Sequence, residues 1–313
     1  MLRALAKGAG LFAFARTPGG AARYRRITRE QLGTIATHVD KLARVWPGYV
    51  AIWRELLGPL DRLDLWVHEP GCTPYSPLAA YLLTGRAGAM TNGHERMHDR
   101  FLARALVGAL ATDFADAAVS DERRRTLAAQ RWQTQARPLI SALGGALHED
   151  VQPARVPLPD ASMHLCHSGG ALEHYSPDAL ADFLAECRRV LRPGGLASHV
   201  FDHRDHLHHA DARLPFLAHL TLPEPVYQVL CGHALGYHNR LSPTQVAARF
   251  ERAGFEKIAV RRLVYPARRY AADDASARAG TPGLPRRLLA ARFRALSELD
   301  LRTAAAHYLY RRR

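Results

Sequence analysis

Residues 176–202 contain the pattern that most constrains the fold, a capped helix followed by an apolar strand. Ser176 and Pro177 form a typical helix start, because a serine side chain accepts a hydrogen bond from the first turn and proline fits the first helical position. The segment "SPDALADFLAECRRVLRPGG" predicts a helix with one buried face, and "LASHVFD" predicts a buried strand. We expect Gly194 and Gly195 to supply the positive φ angles that turn the helix into the strand.

The same alternation of strands and helices recurs on both sides of this segment. A second Ser-Pro helix start opens "SPTQVAARFERAGF", and apolar strand patterns occur in "RLDLWVH", "AGAMTN", "PDASMHLCHS", "EKIAVRRLVY" and "AHYLYRRR". A weak strand is expected near residues 145–152, and two long helices between residues 96 and 142. Strands that alternate with helices predict an α/β domain with a mainly parallel sheet.

Length and local composition predict how the chain is organised. Its 313 residues suffice for one large domain or two small ones, and no apolar run reaches the roughly 20 residues of a membrane-spanning helix. Residues 1–60 predict a basic arm and a helical extension, and residues 61–313 the α/β domain, with an inserted or capping segment at residues 203–240. Residues 1–26 mix apolar and basic side chains, which favours peripheral contact with a membrane surface over a cleaved signal.

The formal net charge of +14 raises the question of nucleic-acid binding. Only three of the 43 basic residues are lysines, and the arginines are scattered along predicted helices, so the charge indicates solvated helix faces rather than a nucleic-acid-binding surface. The four cysteines form no CxxC pair, which favours free thiols in a reducing compartment. We therefore expect a cytoplasmic protein. Residues 1–60 are open to three interpretations: a lid over the active site, a contact between subunits, or an anchor at the inner membrane surface through residues 1–26. No pattern fixes the oligomeric state.

The stretch "LPDASMHLCHSGGALEHYSPDALADFLAECRRVLRPGG", residues 158–195, resembles the core of class I S-adenosylmethionine-dependent methyltransferases. Members of that family carry a strand ending in serine, a Leu-Glu-His sequence and a helix ending in Arg-Val-Leu-Arg-Pro-Gly-Gly. The later segment "YHNRLSPTQVAARFERAGFE" also resembles a branch of the family. The resemblance implies a Rossmann-like, seven-stranded, mainly parallel sheet with flanking helices, and S-adenosylmethionine lying over the carboxyl ends of the strands.

The resemblance also implies which residues bind this cofactor. Glu69 and Gly71 stand where the first strand ends in an acidic residue and a glycine-rich turn, and Thr73 stands where a second glycine is usual. Asn92 takes the place of an acidic residue that accepts hydrogen bonds from the ribose hydroxyls. Gln152 takes the place of the acidic residue that contacts the adenine amine, and Asp150 lies close to it in the sequence. Two further cofactor residues are implied at the end of the fourth strand, His167 and Ser168.

Methyl transfer is a displacement at a sulfonium methyl, so the protein mainly has to hold donor and acceptor in line. A hydroxyl acceptor also requires a base that removes its proton. By resemblance, Asp205 and His206 after the fifth strand are the expected catalytic pair, with the carboxylate orienting the imidazole. The alternative is that His206 only packs against its own loop. For Glu173 and His174 we expect a structural role at the entry to the following helix.

Three functional hypotheses stay open. The first is an S-adenosylmethionine-dependent methyltransferase that acts on a hydroxyl or similar group of a small molecule, namely a sugar, lipid or secondary metabolite. The second is a methyltransferase-fold protein that has lost cofactor binding and serves as a binding or scaffold partner, because several cofactor positions are changed. The third is a metal-dependent enzyme using the histidines and aspartates from Asp202 to Asp211. That run lacks the ligand spacing of an established site, so no metal is predicted.

Overall fold

The computed structural model describes residues 36–93, 96–114, 119–206, 208, 214–233, 237–264 and 285–313, together with some residues between 10 and 24. The predicted basic arm at residues 1–26 therefore lies largely outside the described residues. Parts of the predicted capping segment, residues 203–240, lie outside them as well. All further statements concern the described residues.

The elements alternate between helices and strands, as the sequence predicts. The helices are α1 (Ala36–Leu57), α2 (Tyr75–Thr84), α3 (Leu102–Ala111), α4 (Asp121–Ala129), α5 (Ala136–Ala142), α6 (Pro177–Val190), α7 (Glu224–Cys231), α8 (Pro243–Arg252) and α9 (Glu298–Arg302). The strands are β1 (Leu65–His68), β2 (Ala89–Asn92), β3 (Ala146–Glu149), β4 (Met163–Gly169), β5 (Leu191–Asp202), β6 (Phe255–Val264) and β7 (Thr303–Arg312).

The seven strands form one sheet in the order β3-β2-β1-β4-β5-β7-β6. The first five strands run parallel, and β7 lies antiparallel between β5 and β6. This confirms the predicted Rossmann-like, seven-stranded α/β fold. The strand order reverses between β1 and β4, and a crevice at the carboxyl ends of such strands is the usual place for a ligand.

Helices cover both faces of the sheet, because successive strand residues point to opposite sides. Leu65 and Val67 pack under α1 to α5, whereas Trp66 packs under α6 and α8. The Trp53 indole of α1 is buried in the first core and donates a hydrogen bond to Ser198 Oγ in β5 at 2.8 Å. The helix predicted for the N-terminal extension therefore packs directly on the α/β sheet.

The connection between α6 and β5 differs in one detail from the prediction. Ser176 Oγ accepts the Ala179 N–H at 3.1 Å, as expected for the helix start, and β5 follows α6 without a loop. Gly194 has a φ of +77°, but the expectation of a positive φ at Gly195 is wrong. Gly195 instead provides space, since a Cβ there would lie 2.8 Å from the carbonyl oxygen of Arg192.

The prediction of two long helices between residues 96 and 142 is also wrong, because the shorter helices α3, α4 and α5 occupy this region. Thr112 ends α3 in an extended conformation, with a ψ of 122°. Ser120 begins α4 by accepting a hydrogen bond from the Arg123 N–H, and Gln135 is again extended before α5. Local capping and extended residues thus interrupt a helical pattern that looks continuous in the sequence.

Two expectations from composition can be compared with the fold. All four cysteines are free and buried, as expected for a chain in a reducing compartment. Among the described helices, none combines the length and the apolar character that a membrane crossing requires.

Candidate functional site

Two groups of polar residues meet at the carboxyl ends of the parallel strands. The first, which we call the loop half, comprises Glu69, Gly71, Thr73, Asn92 and Gly93, and it follows β1 and β2. The second, which we call the histidine half, comprises Glu173, His174, His206 and His238, and it follows β4 and β5 or precedes α8.

Tyr175 connects the histidine half to the loop half. Its hydroxyl group lies 2.6 Å from His68 Nε2, at the end of β1, and next to the Glu69 carboxylate. Burial and that carboxylate raise the pKa of the Tyr175 phenol, so the group is a neutral hydroxyl at physiological pH. The two halves therefore border one site rather than two separate ones.

Hydrogen bonds between the strand ends shape the loop half. Glu69 has a positive φ of 52°, and its Oε1 accepts the N–H of Gly93 at 2.7 Å. Asn92 Nδ2 donates to the carbonyl oxygen of Gly71 at 3.3 Å. The loop after β1 is therefore tied to the end of β2, and the structure brings these predicted cofactor residues together.

Gly71 cannot carry a side chain without strain. Its φ of +82° belongs to the left-handed region, and a Cβ there would lie 2.7 Å from Cε1 of His38. His38 belongs to α1, so this helix lies directly against the loop. Only glycine allows both the backbone turn and this close approach.

Two fully buried oxygens of the loop half have no hydrogen-bond partner within the described part of the chain, Asn92 Oδ1 and Thr73 Oγ1. Leaving a buried acceptor unsatisfied costs about 1–3 kcal/mol, so native proteins rarely keep such groups without a reason. Asn92 Oδ1 lacks a donor, and a ribose hydroxyl is a donor of the required kind. The chemistry of these residues therefore fits the ribose of S-adenosylmethionine, with a neutral amide in place of the usual carboxylate.

The predicted residue Gln152 follows Val151, but no hydrogen bond among the described residues links Gln152 to this group. Gln152 is exposed and forms an isolated bridge with Arg155. The residues that follow β3 and approach Asn92 are instead Val151, whose N–H donates to the Asn92 carbonyl oxygen at 3.0 Å, and Asp150, which pairs with Arg96. The parallel pairing of Asn92 with Glu149 makes Asp150 and Val151 the neighbours of the loop half.

His167 and Ser168 lie at the end of β4, but their side chains point into opposite cores. The His167 ring is buried among aromatic residues of α1, 4.8 Å from Tyr49, and its Nδ1–H donates to the Ser198 carbonyl oxygen at 2.8 Å. Burial lowers the pKa of His167 to about 4. Ser168 Oγ lies 2.8 Å from His199 Nδ1 on the other face. Both side chains are thus bonded within the protein, on opposite faces of β4.

The histidine half gathers rings from three separate segments. His174 ends a short turn after β4, His206 follows β5, and His238 precedes α8. The ring of His206 lies 4.8 Å from that of His174 and 4.6 Å from that of His238. His219 extends the group, with its ring 5.3 Å from that of His238.

Hydrogen bonds to backbone carbonyls determine which ring nitrogens carry protons. His174 Nδ1 lies 2.9 Å from the Tyr237 carbonyl oxygen, and His238 Nε2 lies 2.7 Å from the Asp202 carbonyl oxygen. A carbonyl only accepts, so each of these nitrogens must be the N–H donor. The other nitrogen of each neutral ring therefore carries a lone pair.

Burial changes the protonation of two groups in the histidine half. It raises the pKa of Glu173 to about 8, with the Asp202 carboxylate acting in the same direction. It also lowers the pKa of His238 to about 4. At neutral pH both groups are therefore mainly uncharged.

Asp205 and His206, the predicted catalytic pair, both follow β5. Asp205 is buried and its N–H donates to the Phe216 carbonyl oxygen at 2.6 Å, while His206 lies against His174 and His238. Sequence reasoning gave His174 a structural role and did not single out His238. The histidines come from positions far apart in the chain, so no local spacing reveals the cluster.

Comparisons with known proteins find one family model and several similar structures. A family model described as a methyltransferase domain matches residues 101–198. An S-adenosylmethionine-dependent methyltransferase from Mesorhizobium loti is 16% identical, with 88% of this chain and 100% of that chain covered and a TM-score of 0.43. A geranyl diphosphate methyltransferase in complex with S-adenosylmethionine is 15% identical, with 96% and 94% covered and a TM-score of 0.45.

A third similar structure is geranyl diphosphate C-methyltransferase from Streptomyces coelicolor A3(2), solved with Mg²⁺, geranyl diphosphate and S-adenosylhomocysteine. It is 11% identical, with 85% of this chain and 77% of that chain covered and a TM-score of 0.42. A search of curated proteins finds no significant match.

Proposed function

Because this chain carries a class I S-adenosylmethionine-dependent methyltransferase domain, we propose that it methylates a hydroxyl or similar group of a sugar, lipid or secondary metabolite. The observation that supports a hydroxyl acceptor is the histidine half, in which the imidazole rings of His174, His206 and His238 lie against one another at the same edge of the sheet as the loop half. A hydroxyl acceptor requires such a base, whereas an acceptor that is already nucleophilic does not.

The loop half supplies the groups that hold the cofactor. When bound, S-adenosylmethionine supplies an electrophilic methyl group on a sulfonium centre. In this proposal Asn92 Oδ1 accepts a hydrogen bond from a ribose hydroxyl of the cofactor, and Thr73 Oγ1 forms a hydrogen bond with the cofactor as well. Gly71 lets the backbone of the loop approach closely, because no side chain intervenes.

His206 removes the proton of the acceptor hydroxyl in this proposal. Its neighbour His238 stays uncharged at neutral pH, since burial lowers the His238 pKa to about 4. A neutral neighbour does not repel a proton that arrives on His206, whereas an imidazolium would. Asp205, the residue before it, is buried beside the Phe216 backbone and helps to fix the position of this turn.

The test is transfer of an isotope-labelled methyl group from S-adenosylmethionine to a panel of hydroxylated sugars, lipids and secondary metabolites. With the best acceptor, we expect His206→Asn to lower turnover by about 10²- to 10⁴-fold, the usual contribution of a general base. Affinity for S-adenosylmethionine should stay within about twofold, because the change lies outside the loop half.

His208→Asn is the matched control, because His208 follows β5 as well but bonds the Leu214 carbonyl oxygen, outside the cluster. This variant should keep its turnover. Equal activity of both variants, or no acceptor methylated by a protein that binds the cofactor, contradicts the proposed role of His206.

We also propose that the protein works in the cytoplasm and contacts the inner membrane surface through residues 1–26. The free, buried cysteines and the mixture of basic and apolar side chains in that segment support this proposal. Co-sedimentation with anionic lipid vesicles should be stronger for the full chain than for a chain that begins at residue 27. Equal sedimentation of the two proteins contradicts it.

A further inference from the structure

We propose that Glu173, His174 and His206 form a binding site for one divalent transition-metal ion. The candidate ligand atoms of these three side chains all lie within 4.8 Å of one another. Ligands that share an ion at about 2.0–2.2 Å are at most about 4.4 Å apart. The three atoms are therefore already close to the separation that a shared ion requires.

The donor set indicates which ions fit. Two imidazoles and one carboxylate are the protein ligands of many catalytic zinc sites and of mononuclear non-haem iron sites. Calcium and magnesium prefer sites built from oxygen ligands. The site therefore suits Zn²⁺, Fe²⁺ or Co²⁺, and three protein ligands leave a coordination position for a water molecule or a substrate oxygen.

The orientation of His174 is fixed in the way that metal ligands usually are. Its Nδ1–H donates to the Tyr237 carbonyl oxygen at 2.9 Å, which leaves Nε2 with a lone pair. Metal-binding histidines commonly donate their other N–H to a backbone carbonyl or a carboxylate, because this fixes both the tautomer and the ring.

Glu173 provides a second, independent observation. Its side chain is only 2% exposed, and Oε2 has no hydrogen-bond partner in the described part of the chain. The backbone around it is held firmly: the Asn239 N–H donates to the Glu173 carbonyl oxygen at 2.6 Å, and Asn239 Nδ2 donates to that of Leu172 at 3.1 Å. The ion would displace the proton that Glu173 carries at neutral pH, and the buried carboxylate oxygen would gain a charged partner.

His238 completes the surroundings of the ion. Its Nδ1 is buried and has no partner among the described residues, while Nε2–H donates to the Asp202 carbonyl oxygen at 2.7 Å. The ring lies 4.6 Å from that of His206. His238 is therefore placed to hold a water molecule on the ion, or to move inward as a fourth ligand.

A second group of candidate ligands, Cys166, Cys187 and His199, lies in the core under α6. His199 Nδ1 is already bonded to Ser168 Oγ at 2.8 Å, and all three residues are fully buried. We assign this group to core packing. It offers an internal control, because an ion held there would have thiolate ligands.

The consequence for catalysis rests on the proposed function. An ion at this site would bind the acceptor hydroxyl and make it more acidic, so that its proton leaves to water as the oxygen attacks the methyl group. In the metal-free protein His206 would remove this proton itself, as proposed above. In the loaded protein His206 would hold the ion instead, and the ion would lower the pKa of the hydroxyl. Metal binding itself does not depend on methyl transfer, so the two ideas fail separately.

The experiment titrates the chelator-treated full-length protein with Co²⁺, followed by visible absorption, and with Zn²⁺, followed by calorimetry. We expect one equivalent per chain and a cobalt spectrum without a thiolate charge-transfer band. His206→Asn and Glu173→Gln should each weaken binding at least about tenfold, because each removes a ligand. Circular dichroism of each variant checks that it is folded, and His174→Gln provides a third, independent ligand variant.

Cys187→Ala and His208→Asn are the controls, and both should bind the ion as the unchanged protein does. No binding to the folded protein overturns the proposal. So does binding that all three ligand variants retain, or binding with a thiolate band that Cys187→Ala abolishes. If cobalt binds as expected but S-adenosylmethionine does not bind, the metal site stands and the proposed function fails.

Discussion

The loop half and the histidine half lie at the same edge of the sheet, but the fold positions them by different means. The loop half depends on backbone: β1 and β2 pair in parallel, and their ends bring Glu69 and Gly93 into contact at 2.7 Å. The histidine half depends on side chains from three separate segments, whose rings meet at 4.6–4.8 Å. The first arrangement follows from strand register, and the second follows only from tertiary packing.

The two halves share one property that the surrounding core lacks. Each keeps a buried oxygen without a partner among the described residues, Asn92 Oδ1 in one and Glu173 Oε2 in the other. Outside the two halves, the unsatisfied buried side-chain atoms of the described residues are nitrogens of His219 and of several arginines, whereas the amide of Asn239 is bonded. Local rules of polar satisfaction are typically broken at functional sites, so the unsatisfied oxygens support the ligand sites that we propose in both halves.

The largest expected effect is a difference in stability between two variants, each of which replaces one buried asparagine with leucine. Asn239 donates to the carbonyl oxygens of Leu172 and Tyr175 and accepts the Leu241 N–H. Asn239→Leu leaves these groups unsatisfied and should lower the free energy of unfolding by about 3 kcal/mol or more. Chemical denaturation measures this loss.

Asn92→Leu should give the opposite pattern, because Asn92 Oδ1 has no partner in the described structure and its one donated bond, to Gly71, is long at 3.3 Å. The unfolding free energy of the free protein should change by less than about 1 kcal/mol, and affinity for S-adenosylmethionine should fall about 5- to 30-fold. If Asn92→Leu destabilises the protein as much as Asn239→Leu and leaves affinity unchanged, the two halves do not differ as described.

The sequence could predict the loop half better than the histidine half. The β1 strand, the glycine at position 71 and the asparagine at position 92 could be placed because strand ends and turns leave local patterns. The meeting of His206 with His238 could not, since long-range packing sets it. The side on which the His167 side chain lies could not be predicted either. A shift of one residue moves a side chain to the other face of a strand, and only the packing of α1 shows which face His167 occupies.

A smaller effect is expected at the glycine of the loop half. Gly71 and Gly58 have similar positive φ angles, +82° and +78°, but only Gly71 has a neighbour, His38, where a Cβ would lie. Both alanine variants should lose about 1 kcal/mol of stability from backbone strain. Only Gly71→Ala should also weaken S-adenosylmethionine binding, by about tenfold, because the loop must shift to relieve the contact. Equal affinities in the two variants would show that the loop after β1 does not contact the cofactor.

The smallest expected effect is on the pH dependence of stability, and it distinguishes the histidines buried in the core from those at the site. Burial lowers the pKa of His167 to about 4 and that of His307 to about 3, so both stay neutral in the folded protein. In the unfolded chain they bind protons below about pH 6.5. The contribution of these two rings to stability should therefore be constant above this pH and fall as the pH decreases from about 6.5 toward 4. Glu173, whose pKa burial raises to about 8, contributes in the opposite direction.

Denaturant titrations at neutral pH and near pH 5 measure this loss, and His307→Gln should reduce it without changing affinity for the cofactor. A change in stability between the two pH values that is the same in His307→Gln as in the unchanged protein would contradict the assignment of His307 as a buried neutral group. An affinity change in His307→Gln would mean that the region under α1 belongs to the site.

The most direct test of the account is calorimetric titration of the folded protein with S-adenosylmethionine and, separately, with S-adenosylhomocysteine. We predict one binding site per chain for each ligand, weakened by Asn92→Leu and by Gly71→Ala and unchanged in His208→Asn. The absence of binding heat for both ligands at millimolar concentration would contradict it and would favour a methyltransferase fold that serves as a binding scaffold.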